Sequence, residues 1–382
     1  MLERYGHGGD LRTAREAFGL AEDEFLDFSS NMNPFGPPPA AERIYRERWH
    51  DVVRYPDPAV RGLRQKLAGI YGIPEDCILA GNGAAELIDL AVRVLKPAVT
   101  ALARPSFSEY EEAAAKTGSK LLDIPLREEN GFMLQERDLD EAMKQADLLF
   151  LGHPNNPTGR TLPVSALDRL AGSDRMVILD EAFLDFSPRE AELTRIRQAA
   201  QAGNLFVIRS LTKFYAIPGI RLGFIVARPD WIAALRRLQV PWSVNFLAQA
   251  VGRAVLDDRE YAVRTREWLE RERPWLSGRL EALGCRVVPS ETNYLLFSLP
   301  VDSGMDVKRL QRLLGARGIL VRDASLFAGL DSRYVRIAVR RREENERLLR
   351  GLEEAFAAER DIRGGTPGRG SEPASGREVP RR

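Results

Sequence analysis

Short apolar runs alternate with helical patterns through the middle of the chain. The runs read CILAG, VTALA, DLLFLG, MVILD, LFVIR and LGFIVA and lie between Cys77 and Ala227. Segments such as ELIDLAVRVL and VSALDRLAG separate them and carry apolar residues at helical spacing. Because strands that alternate with helices build a parallel sheet, the pattern predicts an α/β fold with a mainly parallel sheet covered by helices.

A smaller α/β region follows this first one. A long helical pattern leads into strand-like runs CRVV, NYLLFSL, ILVRD and YVRIAVR, with the helical segments MDVKRLQRLLGARG and EENERLLRGLEEAF between and after them. We therefore predict a large domain over residues 46–270 and a smaller C-terminal domain over residues 271–360.

The two ends of the chain have a different composition. Clustered Pro, Gly and Asn in NMNPFGPPPA favour an extended N-terminal arm over residues 1–45. Residues 361–382 are Gly, Pro, Ser and Arg with almost no apolar content, so they cannot offset their ordering entropy. We expect this tail to be disordered.

Composition narrows the class of partner. The chain has 56 basic and 55 acidic residues, a net charge of +1, which gives no global field to attract nucleic acid or an anionic membrane. There is no apolar run of the length of a membrane span and no signal-peptide core, so we expect a cytoplasmic protein that binds small molecules. Cys77 and Cys285 lie in apolar contexts typical of buried free thiols, and no metal site is indicated.

One lysine is exceptional in a chain that otherwise uses arginine. The 56 basic residues are 49 arginines and seven lysines, and Lys213 alone lies between Lys144 and Lys308. An amine can lose its proton and condense with an aldehyde, which a guanidinium does not do. Lys213 is therefore a candidate Schiff-base residue, although an isolated lysine is more often solvated or ion-paired.

Polar residues directly after the apolar runs are the next candidates, because ligands of open parallel sheets bind beyond the carboxyl ends of the strands. Gly83 and Ala84 follow CILA at a turn into a helix whose free amides can hold a phosphate. Asn156 lies in the proline-rich loop HPNNPTG. Asp180 follows MVIL, where a carboxylate would be half-buried and would need a cationic partner.

The segment around Lys213 adds a candidate anion site. Ser210 and Thr212 precede the lysine, and Arg221 follows it by eight positions, so that two hydroxyls and a guanidinium form an anion site beside an amine. Together with the carboxylate after MVIL, these groups match a pyridine aldehyde that carries a phosphate.

Three motifs carry a family resemblance. HPNNPTG, VILDEAF and SLTKFYAIPGIRLG, in this order and spacing, resemble the fold-type-I pyridoxal-phosphate enzymes, in the branch that contains histidinol-phosphate aminotransferases and threonine-phosphate decarboxylases. The likeness covers about residues 5–358. Within the branch, HGG, DFSSNMNPFGPP and PWSVNFLAQAVG are similar to the decarboxylases of cobalamin synthesis. The resemblance implies pyridoxal 5'-phosphate as cofactor, a small phosphorylated amino acid as substrate, and a homodimer.

The resemblance also implies roles for residues at the cofactor. Lys213 would bind the cofactor aldehyde, Asp180 the ring nitrogen and Asn156 the phenolic oxygen, with Phe107 of RPSFSEY stacked on the ring. The cofactor phosphate would be held by strand-end residues and by a tyrosine that reaches across from the neighbouring subunit: Gly83, Ala84, Ser210, Thr212, Arg221 and Tyr55.

On the substrate side, the resemblance implies that Arg336 pairs with the carboxylate. Arg322, His7 and Asn33 would face the phosphate end, with Asn156 and Asn245 also on the substrate side. Aminotransferases of this branch usually have a tyrosine three positions after the aspartate, whereas this chain has Phe183.

The cofactor residues serve more than one reaction, so three hypotheses are compared. Decarboxylation of threonine phosphate is the prediction, because the substrate-side segments and Phe183 are compatible with it. Transamination of histidinol phosphate is the alternative. A regulatory domain that only binds the cofactor would need an attached DNA-reading module, and none is apparent in the sequence.

Overall fold

The computed structural model of the chain describes residues 2–3 and 6–364, with side chains described up to residue 360. Its strands are β1 Leu26–Asp27, β2 Ile78–Gly81, β3 Val99–Arg104, β4 Lys120–Pro125, β5 Leu148–Gly152, β6 Met176–Asp180, β7 Leu205–Ser210, β8 Gly223–Val226, β9 Arg286–Val287, β10 Tyr294–Ser298, β11 Ile319–Leu320, β12 Arg322–Asp323 and β13 Tyr334–Ala338.

The α-helices of the described residues fall into two groups. Those before the small domain are α1 Leu11–Phe18, α2 Pro39–Arg48, α3 Arg61–Tyr71, α4 Ala84–Leu95, α5 Ser108–Lys116, α6 Glu136–Gln145, α7 Val164–Ala171, α8 Glu190–Leu193, α9 Ile196–Ala199, α10 Leu211–Phe214, α11 Pro229–Leu238 and α12 Phe246–Val255. Those that lead into or lie within it are α13 Arg259–Ala282, α14 Val307–Gly315 and α15 Arg342–Gly364.

The large domain is built on a seven-stranded sheet in the order β2-β8-β7-β6-β5-β3-β4. Neighbouring strands pair in parallel except at β8, which is antiparallel to both β2 and β7. The predicted mainly parallel sheet is therefore confirmed. Strand β4 at the edge was not predicted, because its Lys120 and Leu121 are exposed and its pattern is not a continuous apolar run.

Helices cover both faces of this sheet, which explains the nearly continuous apolar character of its central strands. Side chains alternate between the two faces, so that Ile178 of β6 packs in one layer while Val177 and Leu179 pack in the other. The first layer is formed by α4, α5 and α11, and the second includes α3, α7, α9 and α12. This packing leaves the strand ends as the accessible edge of the sheet.

The small domain is an antiparallel sheet in the order β12-β13-β10-β9, packed with α13, α14 and α15. Helix α13 is continuous across the predicted boundary between residues 270 and 271, with Pro274 inside it. The boundary therefore falls within a helix rather than a linker. Helix α15 extends to Gly364, four residues into the predicted tail, and residues 365–382 lie outside the described residues.

The N-terminal region differs from the predicted extended arm. Residues 11–18 form α1, which Asp10 caps by accepting a hydrogen bond from the amide of Thr13. Strand β1 then pairs in parallel with β11 of the small domain, with Leu26 opposite Ile319. Proline and glycine clustering did not indicate this pairing, because partners nearly 300 residues apart leave no local signal.

The described part of the chain contains no helix that is long and apolar enough to cross a membrane.

Candidate active site

A cavity of about 570 Å³ opens at the carboxyl edge of the large sheet and is closed on one side by the small domain. It brings together residues from distant parts of the chain. The predicted residues that line it are His7, Ala84, Phe107, Asn156, Asp180, Phe183, Ser210, Thr212, Lys213, Arg221, Arg322 and Arg336. Because strands β2, β5, β6 and β7 all end here, the motifs that follow them converge, as the sheet topology requires.

Lys213 lies in the short helix α10 directly after β7, and its side chain lines the cavity. The pKa of the Lys213 ammonium is lowered to about 8, first by burial and then by the positive charges of Arg221 and Arg336. Near neutral pH a larger fraction of this amine is therefore unprotonated than of a solvated lysine. That is the form that condenses with an aldehyde.

Asp180 ends β6 and is 6% exposed. Its Oδ2 accepts a hydrogen bond from the hydroxyl of Tyr110 at 2.7 Å, and its Oδ1 accepts one from the amide of Ala182 at 3.0 Å. A phenol and a backbone amide thus donate to the carboxylate directly, while Lys213 acts on it through its charge. Burial raises the pKa of Asp180, and the two hydrogen bonds and Lys213 oppose that rise.

Arg336 organises the loop that carries Asn156. Its Nη1 donates to Asn156 Oδ1 at 2.6 Å, and its Nη2 donates to the carbonyl oxygen of Ser29 at 2.7 Å. Burial and the nearby charge of Arg322 lower the pKa of Arg336 to about 9. Because the oxygen of the Asn156 amide is taken by Arg336, its nitrogen is the end left to donate elsewhere.

An anion cradle lies where β2, β7 and β8 meet. Gly83 has a φ of +84°, a conformation that strains any residue with a side chain, and a Cβ added there would lie 2.4 Å from Arg221 Nη2. Helix α4 begins at the next residue, Ala84, with its free amides at the cavity. The hydroxyls of Ser210 and Thr212 lie 2.8 Å apart beside it.

These groups fit pyridoxal phosphate. An amine of lowered pKa suits the aldehyde, a buried carboxylate suits the ring nitrogen, and the cradle that a Cβ at Gly83 would crowd suits the phosphate. Among the described residues no group of three or more potential ligands could hold a metal ion.

A buried cluster of charges holds the two strand ends that carry these residues. Glu181 follows Asp180 and is fully buried, and its Oε2 accepts from Arg209 Nε at 2.9 Å. Arg209 also contacts Asp185 and Glu190. Removing one partner of such a pair leaves a buried charge and costs about 3–5 kcal/mol. The cluster therefore fixes β6 and β7 relative to each other.

The outer end of the cavity carries His7, Glu109 and Arg322. His7 Nε2 lies 3.0 Å from Glu109 Oε1, which lowers the pKa of Glu109. Arg322 is 5% exposed, and its Nη2 donates to the carbonyl oxygen of Gly6 at 2.5 Å. Its Nη1 lies 4.0 Å from Glu3 Oε1 and has no hydrogen-bond partner among the described residues.

The structure does not bring Asn33 to the cavity. Its amide nitrogen donates to the carbonyl oxygen of Phe214 and to Thr265 Oγ1, both at 2.9 Å, and these bonds hold it inside the fold. Asn31 lines the cavity instead, and its buried Oδ1 has no hydrogen-bond partner among the described residues. The prediction that Asn33 faces the substrate is therefore wrong, and Asn31 is the asparagine of this segment that lines the cavity.

Two other predicted residues also lie away from the cavity. Asn245 caps helix α12 by accepting from the amide of Ala248 at 2.8 Å, which is a structural role. Tyr55 is 83% exposed, its ring is tilted against that of Trp242 with centroids 5.0 Å apart, and it does not line the cavity of its own chain.

Sequence reasoning missed three residues beside the cavity. Tyr110 donates to Asp180, Glu109 pairs with His7, and Tyr294 packs its ring edge-on against Phe183 at 5.0 Å. Glu109 and Tyr110 lie two and three residues after Phe107 in the segment RPSFSEY. Their closeness to Phe107 in the sequence was the signal that could have identified them.

A second cleft, of about 620 Å³, lies between the 123–132 segment and the 328–334 loop. Its arginines are paired with its own or neighbouring carboxylates, since Arg104 contacts Glu111 and Asp123 and Arg333 contacts Asp331. These arginines are therefore already paired with carboxylates.

The fold and the cavity together define a pyridoxal-phosphate-dependent enzyme of fold type I. The family model for aminotransferase class I and II matches residues 23–352, and the chain belongs to this family.

The chain is 40% identical over 356 residues to threonine-phosphate decarboxylase of Salmonella typhimurium, covering 91% of this chain and 95% of that protein. It resembles the crystal structure of histidinol-phosphate aminotransferase from Clostridium acetobutylicum, with a TM-score of 0.81 and 29% identity over 87% of this chain and 99% of that one. It also resembles L-threonine-O-3-phosphate decarboxylase from Porphyromonas gingivalis, with a TM-score of 0.77 and 28% identity over 86% of this chain and 99% of that one.

Proposed function

We propose that the protein decarboxylates L-threonine O-3-phosphate to (R)-1-amino-2-propanol O-2-phosphate and carbon dioxide. In the enzymes that the sequence resembles, this product supplies the aminopropanol linker of cobalamin. The similarity to the Salmonella decarboxylase along nearly the whole chain supports this reaction.

One observation in the cavity carries the proposal. Arg322 and Arg336 are both buried. Arg322 Nη1 and Arg336 Nε have no hydrogen-bond partner among the described residues. An unsatisfied buried donor costs about 1–3 kcal/mol, and more when it is charged. A substrate with one carboxylate and one phosphate would supply an anion to each guanidinium.

The cofactor and the residues that would bind it have separate chemical roles. When bound, pyridoxal phosphate supplies an electron-withdrawing ring that accepts the electron pair of the bond broken at Cα. The carboxylate of Asp180 would hold a proton on the ring nitrogen. Lys213 Nζ would hold the aldehyde carbon and later deliver a proton to Cα of the substrate.

Orientation selects which bond breaks, because only a bond perpendicular to the ring passes its electrons into the π system. Arg336 would bind the carboxylate and Arg322, with His7 and Asn31, the phosphate, so that these residues decide which bond stands upright. Phe183 lacks the hydroxyl of the usual tyrosine and instead contacts Tyr294 edge-on. The arginine pair and Phe183 are both compatible with decarboxylation.

Transamination of histidinol phosphate is the second candidate, favoured by the structural likeness to the Clostridium aminotransferase. A direct assay separates the two. Cofactor-loaded protein given L-threonine phosphate is expected to release carbon dioxide and the amine phosphate in equal amounts. A keto product from histidinol phosphate and 2-oxoglutarate, without carbon dioxide from threonine phosphate, would contradict the proposal.

We also propose that the protein is a homodimer in which Tyr55 reaches the cofactor phosphate of the partner. An exposed apolar surface supports this, formed by the 45–55 segment and the Val240–Trp242 loop that it contacts. Its exposed residues are Tyr45, Trp49, Val53, Tyr55, Val240 and Trp242. A patch of this kind typically marks a protein interface.

Val53→Glu is expected to weaken the dimer at least tenfold, because it places a charge in an apolar interface. Analytical ultracentrifugation would measure the dissociation constant. Val301→Glu, at a similarly exposed valine of the small domain, is the matched control and should leave it unchanged. A wild-type monomer with full activity would argue against the dimer.

A further inference from the structure

Tyr110 is a buried tyrosine that the proposed mechanism has not used. It lies on α5, three residues after Phe107, and is 2% exposed. Its ring stacks on Phe150 with centroids 4.1 Å apart and planes 22° apart, which leaves the ring little freedom to turn. Its hydroxyl donates to Asp180 Oδ2 at 2.7 Å.

Tyr110 contacts two of the residues that the cofactor would touch. Besides the hydrogen bond to Asp180, its ring meets Phe107 edge-on, with centroids 5.7 Å apart and an interplanar angle of 85°. Strand β5 makes room for the hydroxyl at Gly152, where an added Cβ would lie 3.2 Å from the phenol oxygen. The side chain of Tyr110 is therefore closely packed behind the cavity.

The hydrogen bond matters because Asp180 is buried. Burial favours the neutral form of a carboxyl group, whereas a hydrogen bond donated to the carboxylate favours the charged form. Each oxygen of Asp180 has one donor, the Tyr110 hydroxyl on Oδ2 and the Ala182 amide on Oδ1. The other titratable groups facing it are Lys213 from α10 and Tyr294 from β10.

We propose that Tyr110 is a positioning residue that keeps the Asp180 carboxylate ionised and fixes its orientation toward the cavity. It acts through Asp180 and, by ring contact, through Phe107, and does not itself touch the reacting atoms. This inference rests on the proposed cofactor site and adds a residue on which binding of the cofactor depends.

The test compares two tyrosine-to-phenylalanine variants as apoproteins. Y110F and Y334F each remove one hydroxyl from a buried ring, but Tyr334 lines the second cleft, where its hydroxyl faces Glu128, and it does not line the cofactor cavity. Titration with pyridoxal phosphate, followed by absorbance, gives the dissociation constant. We expect Y110F to bind about tenfold more weakly, as for a lost hydrogen bond to a charged group, and Y334F to match wild type.

A pH series gives a readout that a merely structural role would not change. Removing the Tyr110 hydroxyl takes away a donor that lowers the pKa of Asp180, so the carboxylate is protonated at a higher pH. The pH below which the apoprotein stops binding cofactor should therefore rise by about one unit in Y110F. In the D180N background, Y110F should cause no further loss.

Equal losses in Y110F and Y334F, no loss in Y110F, or a full tenfold further loss in the D180N background would each overturn the inference. Thermal denaturation checks that both variants fold. If Y110F does not fold, 3,5-difluorotyrosine at position 110 keeps the ring and strengthens the donor, and the pH limit should then fall. Unchanged cofactor binding in D180N itself would instead contradict the proposed cofactor site.

Discussion

Lys213→Ala is expected to abolish covalent attachment of pyridoxal phosphate and to lower decarboxylation by at least about a thousandfold. The variant removes the amine of lowered pKa that lines the cavity. Borohydride reduction of the wild-type protein with bound cofactor, followed by peptide mapping, should place the pyridoxyl group on Lys213 alone. The variant should carry none.

Lys308→Ala is the control, because Lys308 lies on α14 of the small domain and does not line the cavity. It should keep both the label and the activity. A pyridoxyl group on another residue of wild type, or full activity in the Lys213 variant, would contradict the assigned role.

Arg322→Met is expected to raise the KM for threonine phosphate about thirtyfold or more, while L-threonine, which has no phosphate, is turned over as poorly as by wild type. Truncating one partner of a buried charge pair costs about 2–5 kcal/mol, and each 1.4 kcal/mol is a tenfold change. Steady-state kinetics with the two substrates measures this difference. Methionine keeps much of the buried volume.

Arg64→Met controls for the loss of a buried arginine. Arg64 is 8% exposed and donates to backbone carbonyl oxygens in the large domain, outside the cavity. This variant should lower stability without changing the KM. A proportional loss with both substrates in Arg322→Met would show that Arg322 does not bind the phosphate.

The sequence alone could predict those features of the fold and site that leave a local pattern in it. Apolar runs predicted six strands of the large sheet, and motifs at their ends predicted the residues that converge on the cavity, because parallel strands end at one edge. Strand β8 joins the sheet antiparallel, which a run of apolar residues cannot reveal since both directions bury the same side chains.

The site was harder to predict where two nearby residues of the same type were candidates for the same position at the cavity. Asn31 and Asn33 are both in NMNPFG, and only the tertiary structure decides which of them lines the cavity. The amide nitrogen of Asn33 donates to Thr265 of α13 and is held away from the cavity. The hydrogen bond from Tyr110 to Asp180 likewise depends on the tertiary structure. Tyr110 and Asp180 are 70 residues apart and meet only when α5 packs on the sheet.

The pairing of β1 with β11 has a consequence for the newly made chain. Leu26 leaves the ribosome 293 residues before its partner Ile319. At synthesis rates of about 5–20 residues per second, the early segment waits roughly 15–60 s for a partner. The two-stranded sheet of β1 and β11 therefore forms late in synthesis, long after the first of its strands has been made.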